Sequence, residues 1–275
     1  MVPDWSKATT IIASARSFLF VPGNRPDRFD KAIASQADVV ILDLEDAVPP
    51  TEKAAARAAV SAWLDPARPA MIRINAIGSA EFEQDCVLLD HPACLGCLLP
   101  KAEPSALLQN LGLRVPVMAL VESAVGVANM QAIAATAGVA RLALGTIDLA
   151  LDLDMTADDR SFDPLRVQMT IASRIGGIAA PVDGVCTELR DGDVIAASMT
   201  RARELGFSGK MCIHPAQVES VYRALMPTDQ EMAWARRVLV EDAKANGAAV
   251  AVDGMMIDYP VVQRARRILS SAGVR

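Results

Sequence analysis

No apolar run in this chain approaches the ~20 residues that a membrane-spanning helix needs, so no membrane segment is expected. Basic runs are also missing, and the net charge is −6. Together these exclude an electrostatic nucleic-acid surface. Neither G-x-G-x-x-G nor a P-loop occurs, so the usual glycine cradles for nucleotide phosphates are absent. There is no Pro/Gly/Ser-rich linker and no repeat longer than one strand–helix unit. The N-terminal MVPDWSKATTIIASAR lacks a continuous apolar core, because Arg16 interrupts it, and no signal peptide is expected. The five cysteines (Cys86, Cys94, Cys97, Cys186, Cys212) are an odd number, which favours a reducing, cytoplasmic compartment over a disulfide framework.

The chain does have a regular alternation. Its 275 residues, 52% hydrophobic and 22% charged, suit a soluble protein with a large core. Eight short apolar runs punctuate it: FLFVPG (18–23), VVILDLED (39–46), AMIRIN (70–75), LGCLLPK (95–101), PVMALVES (116–123), RLALGTID (141–148), APVDGV (180–185) and GKMCIHP (209–215). Runs of this length between helix-forming stretches read as parallel strands buried on both faces. Helices are predicted over 26–37, 51–64, 126–137, 164–178, 191–205 and 215–225; 79–94 is ambiguous, and 104–111 gives a short helix. Eight such alternations predict an α/β fold of the (β/α)8 TIM-barrel type over residues 1–225.

Residues 226–275 then form an extension. Thr228 and Glu231 make a T-x-x-E capping box before a helix at 229–245. AVAVDGMMIDYP reads as a hairpin turning at Asp253-Gly254, and a last helix runs from Val261 to about Ser271. The expected tail is helix–hairpin–helix.

Chemistry-bearing side chains gather at the carboxyl ends of the strands, where barrel active sites form. Glu122 and Asp148 close consecutive strands in this reading, roughly 5 Å apart. Carboxylates that close repel unless a cation lies between them, and Mg²⁺ is commonly held by one or two of them. The alternative is that Glu122 caps a helix and Asp148 makes a turn hydrogen bond. Asp43, Glu45 and Asp46 crowd the second strand end. They either support metal-bound water and a base or form a solvated end beside Lys53–Arg57. Arg73, inside MIRIN, requires an acid or a ligand oxygen; a salt bridge to Glu45 or Asp46 and a role toward a developing oxyanion are both open. Lys101 reads as a rim charge. His91, Cys94 and Cys97 lack the second pair of a zinc site, Asp152 to Asp159 lack the glycine of a calcium loop, and His214 reads equally well as structural.

Several segments taken together resemble the citrate lyase beta-subunit family: RSFLFVPG (16–23), VVILDLEDAV (39–48), RIN (73–75), PKAE (100–103), ALVESAVGVAN (119–129), GFSGKMCIHPAQV (206–218) and VDGMMIDYP (252–260). That family includes malyl-CoA, citramalyl-CoA and citryl-CoA lyases. The resemblance implies a (β/α)8 barrel, trimeric or a dimer of trimers, binding Mg²⁺ and a CoA thioester substrate. By matching positions it implies metal ligation by Glu122 and Asp148, and a substrate and catalytic role for Arg73. It implies a catalytic tail aspartate at Asp258 that reaches a neighbouring subunit's site. Arg16, Pro22 and Gly23 would lie near the CoA nucleotide, and Glu45 and Asp46 near metal-bound water. Three positions depart from common relatives: Ile147 before the metal aspartate, Asp152-Leu153-Asp154 after it, and Thr187-Glu188. The implied reaction is Claisen-type cleavage to acetyl-CoA and an oxo acid. A metal-dependent aldolase on free 2-oxo-3-deoxy acids and a carrier-dependent citrate lyase subunit are the rivals.

Overall fold

Eight parallel strands pair in sequence order, and the last pairs with the first, closing a barrel. The computed structural model describes residues 5–156, 158–245, 250–252 and 255–271. The strands are β1 (Ser17–Pro22), β2 (Val39–Asp43), β3 (Ala70–Arg73), β4 (Cys94–Leu99), β5 (Val117–Val121), β6 (Val139–Leu144), β7 (Val182–Asp183) and β8 (Gly209–Cys212). Between them lie α2 (Phe29–Ala34), α3 (Lys53–Trp63), α4 (Phe82–Cys86), α5 (Ala106–Arg114), α6 (Ala124–Ala128), α7 (Met130–Ala134), α8 (Thr146–Asp152), α9 (Asp163–Ile175) and α10 (Gly192–Glu204), with α1 (Ser6–Ser14) ahead of β1 and α11 (Gln217–Leu225) after β8. The fold is the expected (β/α)8 barrel.

Strand periodicity decides which side chains enter the barrel. Successive strand residues face opposite ways, and apolar interior positions lead directly to polar ones. Val39 and Ile41 belong to the interior core and Asp43 follows two residues on. Met71 leads likewise to Arg73, and Met118 and Leu120 lead to Glu122. The register Asp43↔Arg73 sets the first two side by side.

At the opposite end, α1 plugs the barrel floor. Ala8, Ile12 and Ala15 join Phe18, Met71, Met118 and Met211 in one cluster. Arg141 reaches the same end and donates to the carbonyls of Ile12, Ala15 and Ala180 and to Ser208 Oγ. Burial pulls its pKa down to about 9.

The structure differs from the sequence reading at two helices. α1 has no counterpart among the helices read from the sequence. α8 was expected to be the tail of a strand, because TIDLALD follows RLALG without a break in hydrophobicity. The 26–37 region is a 3-10 turn (Pro26–Arg28) followed by α2, and 126–137 divides into α6 and α7 at Asn129. The ambiguous 79–94 stretch holds α4 and a 3-10 turn, Val87–Asp90.

One buried ionic group was not anticipated. Asp183, fully buried, accepts from Arg166 Nε at 2.8 Å and Lys210 Nζ at 2.6 Å. Burial alone would raise the Asp183 pKa, but Lys210 and Arg166 outweigh it and hold the carboxyl below its ordinary range. Removing one member of such a group leaves the others charged and unpaired. We expect Asp183→Ala to cost about 3–5 kcal/mol in urea denaturation. A loss under about 1 kcal/mol would mean that water replaces the carboxylate.

Residues Met1–Tyr222 and Arg223–Arg275 form two compact units. In the second, α12 (Asp229–Ala245) and α13 (Tyr259–Ser271) bury Ala235, Val238, Val262, Ala265 and Ile268 with Ile257. The short strands β9 (Val250–Val252) and β10 (Met255–Ile257) pair antiparallel. The predicted Asp253-Gly254 turn lies outside the described residues. The capping box forms as read: Thr228 N–H donates to Glu231 Oε2 at 2.8 Å, and Glu231 N–H to Thr228 Oγ1 at 3.1 Å.

Candidate active site

A cavity of about 550 Å³ opens at the carboxyl ends of the strands. Its polar wall holds Asp43, Asp46, Arg73, Glu122 and Asp148, and its apolar wall includes Phe20, Leu120, Val185, Met211 and Ile213. Pro22 and Arg28 line it near the end of β1.

Arg73 is the hub of one half. Asp43 accepts from Nε at 2.7 Å and from Nη2 at 2.6 Å, a bidentate pair. Glu45 lies 3.0 Å from Nη1 and Asp46 3.5 Å. The sequence reading offered Glu45 or Asp46 as partner; Asp43 is the principal one, because its inward parity and the strand register put it beside Arg73. Burial would lower the Arg73 pKa, but Asp43 with Glu45 and Asp46 overrides it, and the guanidinium is held above its ordinary range. Its face stacks on Phe20, 4.9 Å from the ring centre. A guanidinium has five N–H donors. Asp43 takes two, and Glu45 and Asp46 both lie beside Nη1, which leaves the second N–H of Nη2 for a ligand oxygen.

The loop carrying Glu45 and Asp46 is fixed from behind. Lys53, itself buried, donates to the carbonyls of Leu44 and Glu45 and to Asn75 Oδ1. Arg57 is engaged by Glu81, Gln84 and Asp85. Lys53 therefore secures the loop backbone, and the two acids face Arg73. Burial and the adjacent Asp46 carboxyl push Glu45 above the ordinary range.

Glu122 forms the second half. It does not cap the following helix: Ser123 does, its Oγ accepting from Gly126 N–H at 3.0 Å, while Asp152 accepts from Ala124 N–H at 2.6 Å. The Glu122 carboxylate, 2% exposed, accepts from Lys101 N–H at 2.9 Å. Burial pushes its pKa up to about 8; the Lys101 bond opposes this, and the negative charge of Asp148 adds to the rise.

Asp148 does not end a strand, which corrects the sequence reading. β6 stops at Leu144, and Asp148 sits in the first turn of α8. Exposed Ile147 (55%) shows that the alternation has ended there. A helix start still suits the charge, since the exposed N–H groups favour an anion. Half-buried Asp148 makes no hydrogen bond or ion pair to any described residue.

Arg16 and Gly23, both at the first strand, lie at its opposite ends. Arg16 precedes β1 at the amino-terminal face, where its N–H donates to Asp38. It therefore stands the length of a strand, roughly 17–20 Å, from Pro22, and outside the cavity. The sequence motif joined two opposite ends of one strand. Gly23 serves packing: its N–H bonds the Asp43 carbonyl at 2.7 Å, and a Cβ there would lie 2.8 Å from that oxygen. Arg28 was missed, because nothing in NRPDR distinguishes it from a surface charge.

Asp258 belongs to the second unit, where it is exposed and caps α13 by accepting from Val261 N–H at 3.3 Å. Cys94 and Cys97 are buried free thiols, and His214 Nδ1 accepts from Ala216 N–H. Among the described residues no three His, Cys, Asp or Glu side chains form a metal cluster.

A closed parallel barrel with an acid–arginine crown around a cavity at its carboxyl end is the arrangement in which barrel enzymes place their active sites. Residues 16–215 match the family model described as HpcH/HpaI aldolase/citrate lyase, and the chain belongs to that family. Citrate lyase subunit beta-like proteins of Mycobacterium tuberculosis and Deinococcus radiodurans are 38% and 37% identical to it, spanning 95% and 94% of this chain and 97% of each relative. A (3S)-malyl-CoA thioesterase of Cereibacter sphaeroides is 32% identical over 94% of both chains. Among solved structures, CitE from Mycobacterium tuberculosis in complex with magnesium, acetoacetate and coenzyme A gives a TM-score of 0.87 at 36% identity. That match covers 95% of this chain and 99% of that one. A citrate lyase beta subunit from the same organism, complexed with oxaloacetate and magnesium, gives 0.72 at 35% identity, covering 79% and 100%.

Proposed function

We propose that the protein is a Mg²⁺-dependent carbon–carbon lyase. In this reading it cleaves a 3-hydroxy-carboxyacyl-CoA (citramalyl-, malyl- or citryl-CoA) to acetyl-CoA and an oxo acid by a reversible Claisen-type reaction. The observation that carries this reading is Glu122, a buried carboxyl pushed up to about 8 beside the acid Asp148, on a cavity that also holds Arg73. Such a pair fits a divalent cation, which would leave positions open to substrate oxygens and water. Bound by Glu122 and Asp148, Mg²⁺ would acidify the substrate hydroxyl and polarise the emerging carbonyl. The remaining Nη2 N–H of Arg73 stabilises the oxygen of the acetyl-CoA enolate as the C–C electron pair moves onto it. Glu45 and Asp46 hold Arg73, and Asp46, on the cavity wall, orients the water that takes the proton leaving the substrate hydroxyl. Pro22 walls the side from which the thioester enters.

Asp258, supplied by the tail of a neighbouring copy, protonates the enolate carbon and removes that proton in the synthetic direction. A site built from two copies is satisfied by a closed ring, in keeping with a homotrimer or a dimer of trimers. Five thiols without a disulfide suit the cytoplasm. The named complexes of the relatives with magnesium, coenzyme A and oxaloacetate support the cofactor and substrate class.

Hydrolysis of the same thioester is the second reading, favoured by the thioesterase relative. Malyl-, methylmalyl-, citramalyl- and citryl-CoA assayed with and without Mg²⁺ separate the two. A lyase releases oxo acid without free thiol, and a thioesterase releases free coenzyme A thiol. Turnover of free 2-oxo-3-deoxy acids alone would replace both readings with an aldolase.

A further inference from the structure

Lys101 has a backbone that the rest of the barrel rim does not share. It follows β4 with φ of +48°, in the left-handed region. Of the described non-glycine residues only Gln36 and Asp154 join it there. That region crowds Cβ against the following carbonyl, and asparagine and glycine bear it better than lysine. Such residues cluster where function requires an unusual geometry.

The geometry at Lys101 points both of its ends into the site. Its N–H meets Glu122 Oε1 at 2.9 Å, and its Nζ meets Glu45 Oε1 at 2.7 Å. Glu45 in turn lies against Arg73. Across Glu122 stands Gly145, where a Cβ would come within 2.5 Å of Glu122 Oε2 and 2.6 Å of its Cβ. The carboxylate is thus bonded on one oxygen and closely walled at the other.

We propose that Lys101 is a positioning residue that ties the two halves of the site together. Its left-handed backbone aims the N–H that orients Glu122, and its ammonium fixes Glu45 against Arg73. The first task belongs to the backbone and the second to the side chain, so substitution separates them. This rests on the metal-dependent reading above.

The experiment is a series at one position: Lys101→Gly, Lys101→Asn, Lys101→Ala and Lys101→Val. All four lack the ammonium, and left-handed cost rises along the series. Mg²⁺ affinity is read by calorimetry without substrate, and kcat and KM with the thioester. Mg²⁺ affinity should stay near wild type in the glycine variant and weaken progressively, by about tenfold at valine. All four should show kcat about tenfold below that of Lys101→Arg, which keeps a cation, a loss on the scale of one displaced oxyanion donor or less. The graded series keeps the test decisive if valine does not fold.

Flat Mg²⁺ affinity across folded variants, with only the melting temperature falling, would overturn the backbone role. Wild-type kcat in Lys101→Gly would overturn the side-chain role. Absence of Mg²⁺ binding in the unsubstituted protein would instead remove the functional reading, and this proposal with it.

Discussion

Mg²⁺ binding at pH 6.5 should release close to one proton per ion, and Glu122→Gln should abolish both the release and the binding. The metal-free Glu122 carboxyl has a pKa of about 8 against an ordinary 4.5. At pH 6.5 it is therefore protonated and must lose its proton to ligate. Affinity should rise about tenfold per pH unit up to roughly pH 8 and then level. Calorimetry in two buffers of different ionisation enthalpy counts the proton directly.

Stability should follow with a definite sign. A pKa raised in the folded state contributes stability that is complete below the unfolded value and lost as pH rises through the folded one. The metal-free protein should therefore melt at lower temperature as pH goes from about 5 to about 8. Saturating Mg²⁺ and Glu122→Gln should each flatten the trend to the part that Glu45, also raised, contributes. Proton release that persists in Glu122→Gln would assign it elsewhere and strip Glu122 of its ligand role.

The second large effect belongs to the tail. Asp258→Asn should lower kcat by about 10²–10⁴-fold, the usual loss for a positioned acid–base group, with Mg²⁺ affinity unchanged. Complementation then asks where the group comes from. Asp258→Asn and Arg73→Lys chains, each nearly inactive, are unfolded together and refolded as mixtures. If a site joins the barrel of one copy to the tail of another, roughly one site in four in a randomly mixed ring is intact, and activity returns to that fraction. No recovery on mixing would place Asp258 in its own chain's site, or in none.

Legibility in the sequence tracked the range of the interaction involved. The barrel was readable because each strand announces itself locally, as a buried run bounded by turns. Glu122 was readable for the same reason, as the polar residue continuing the inward series Met118, Leu120. Asp148 was recognised as a site residue but misplaced, since hydrophobicity runs unbroken from Arg141 into α8 while the backbone changes at Gly145. Asp43 was noticed only as one of three acids. Its pairing with Arg73 depends on a register between strands 30 residues apart, which no local pattern encodes. The Asp183–Arg166–Lys210 group was invisible on the same ground.

The two-residue period that delivers Asp43, Arg73 and Glu122 to the cavity also limits how this protein can diverge. Losing or gaining a single residue inside β2, β3 or β5 would rotate the chemistry into the helical shell and put a hydrophobe in its place. Strand lengths are therefore frozen, and new substrate preferences must arise in the loops beyond Asp183 and Cys212, which can lengthen without turning the catalytic groups away.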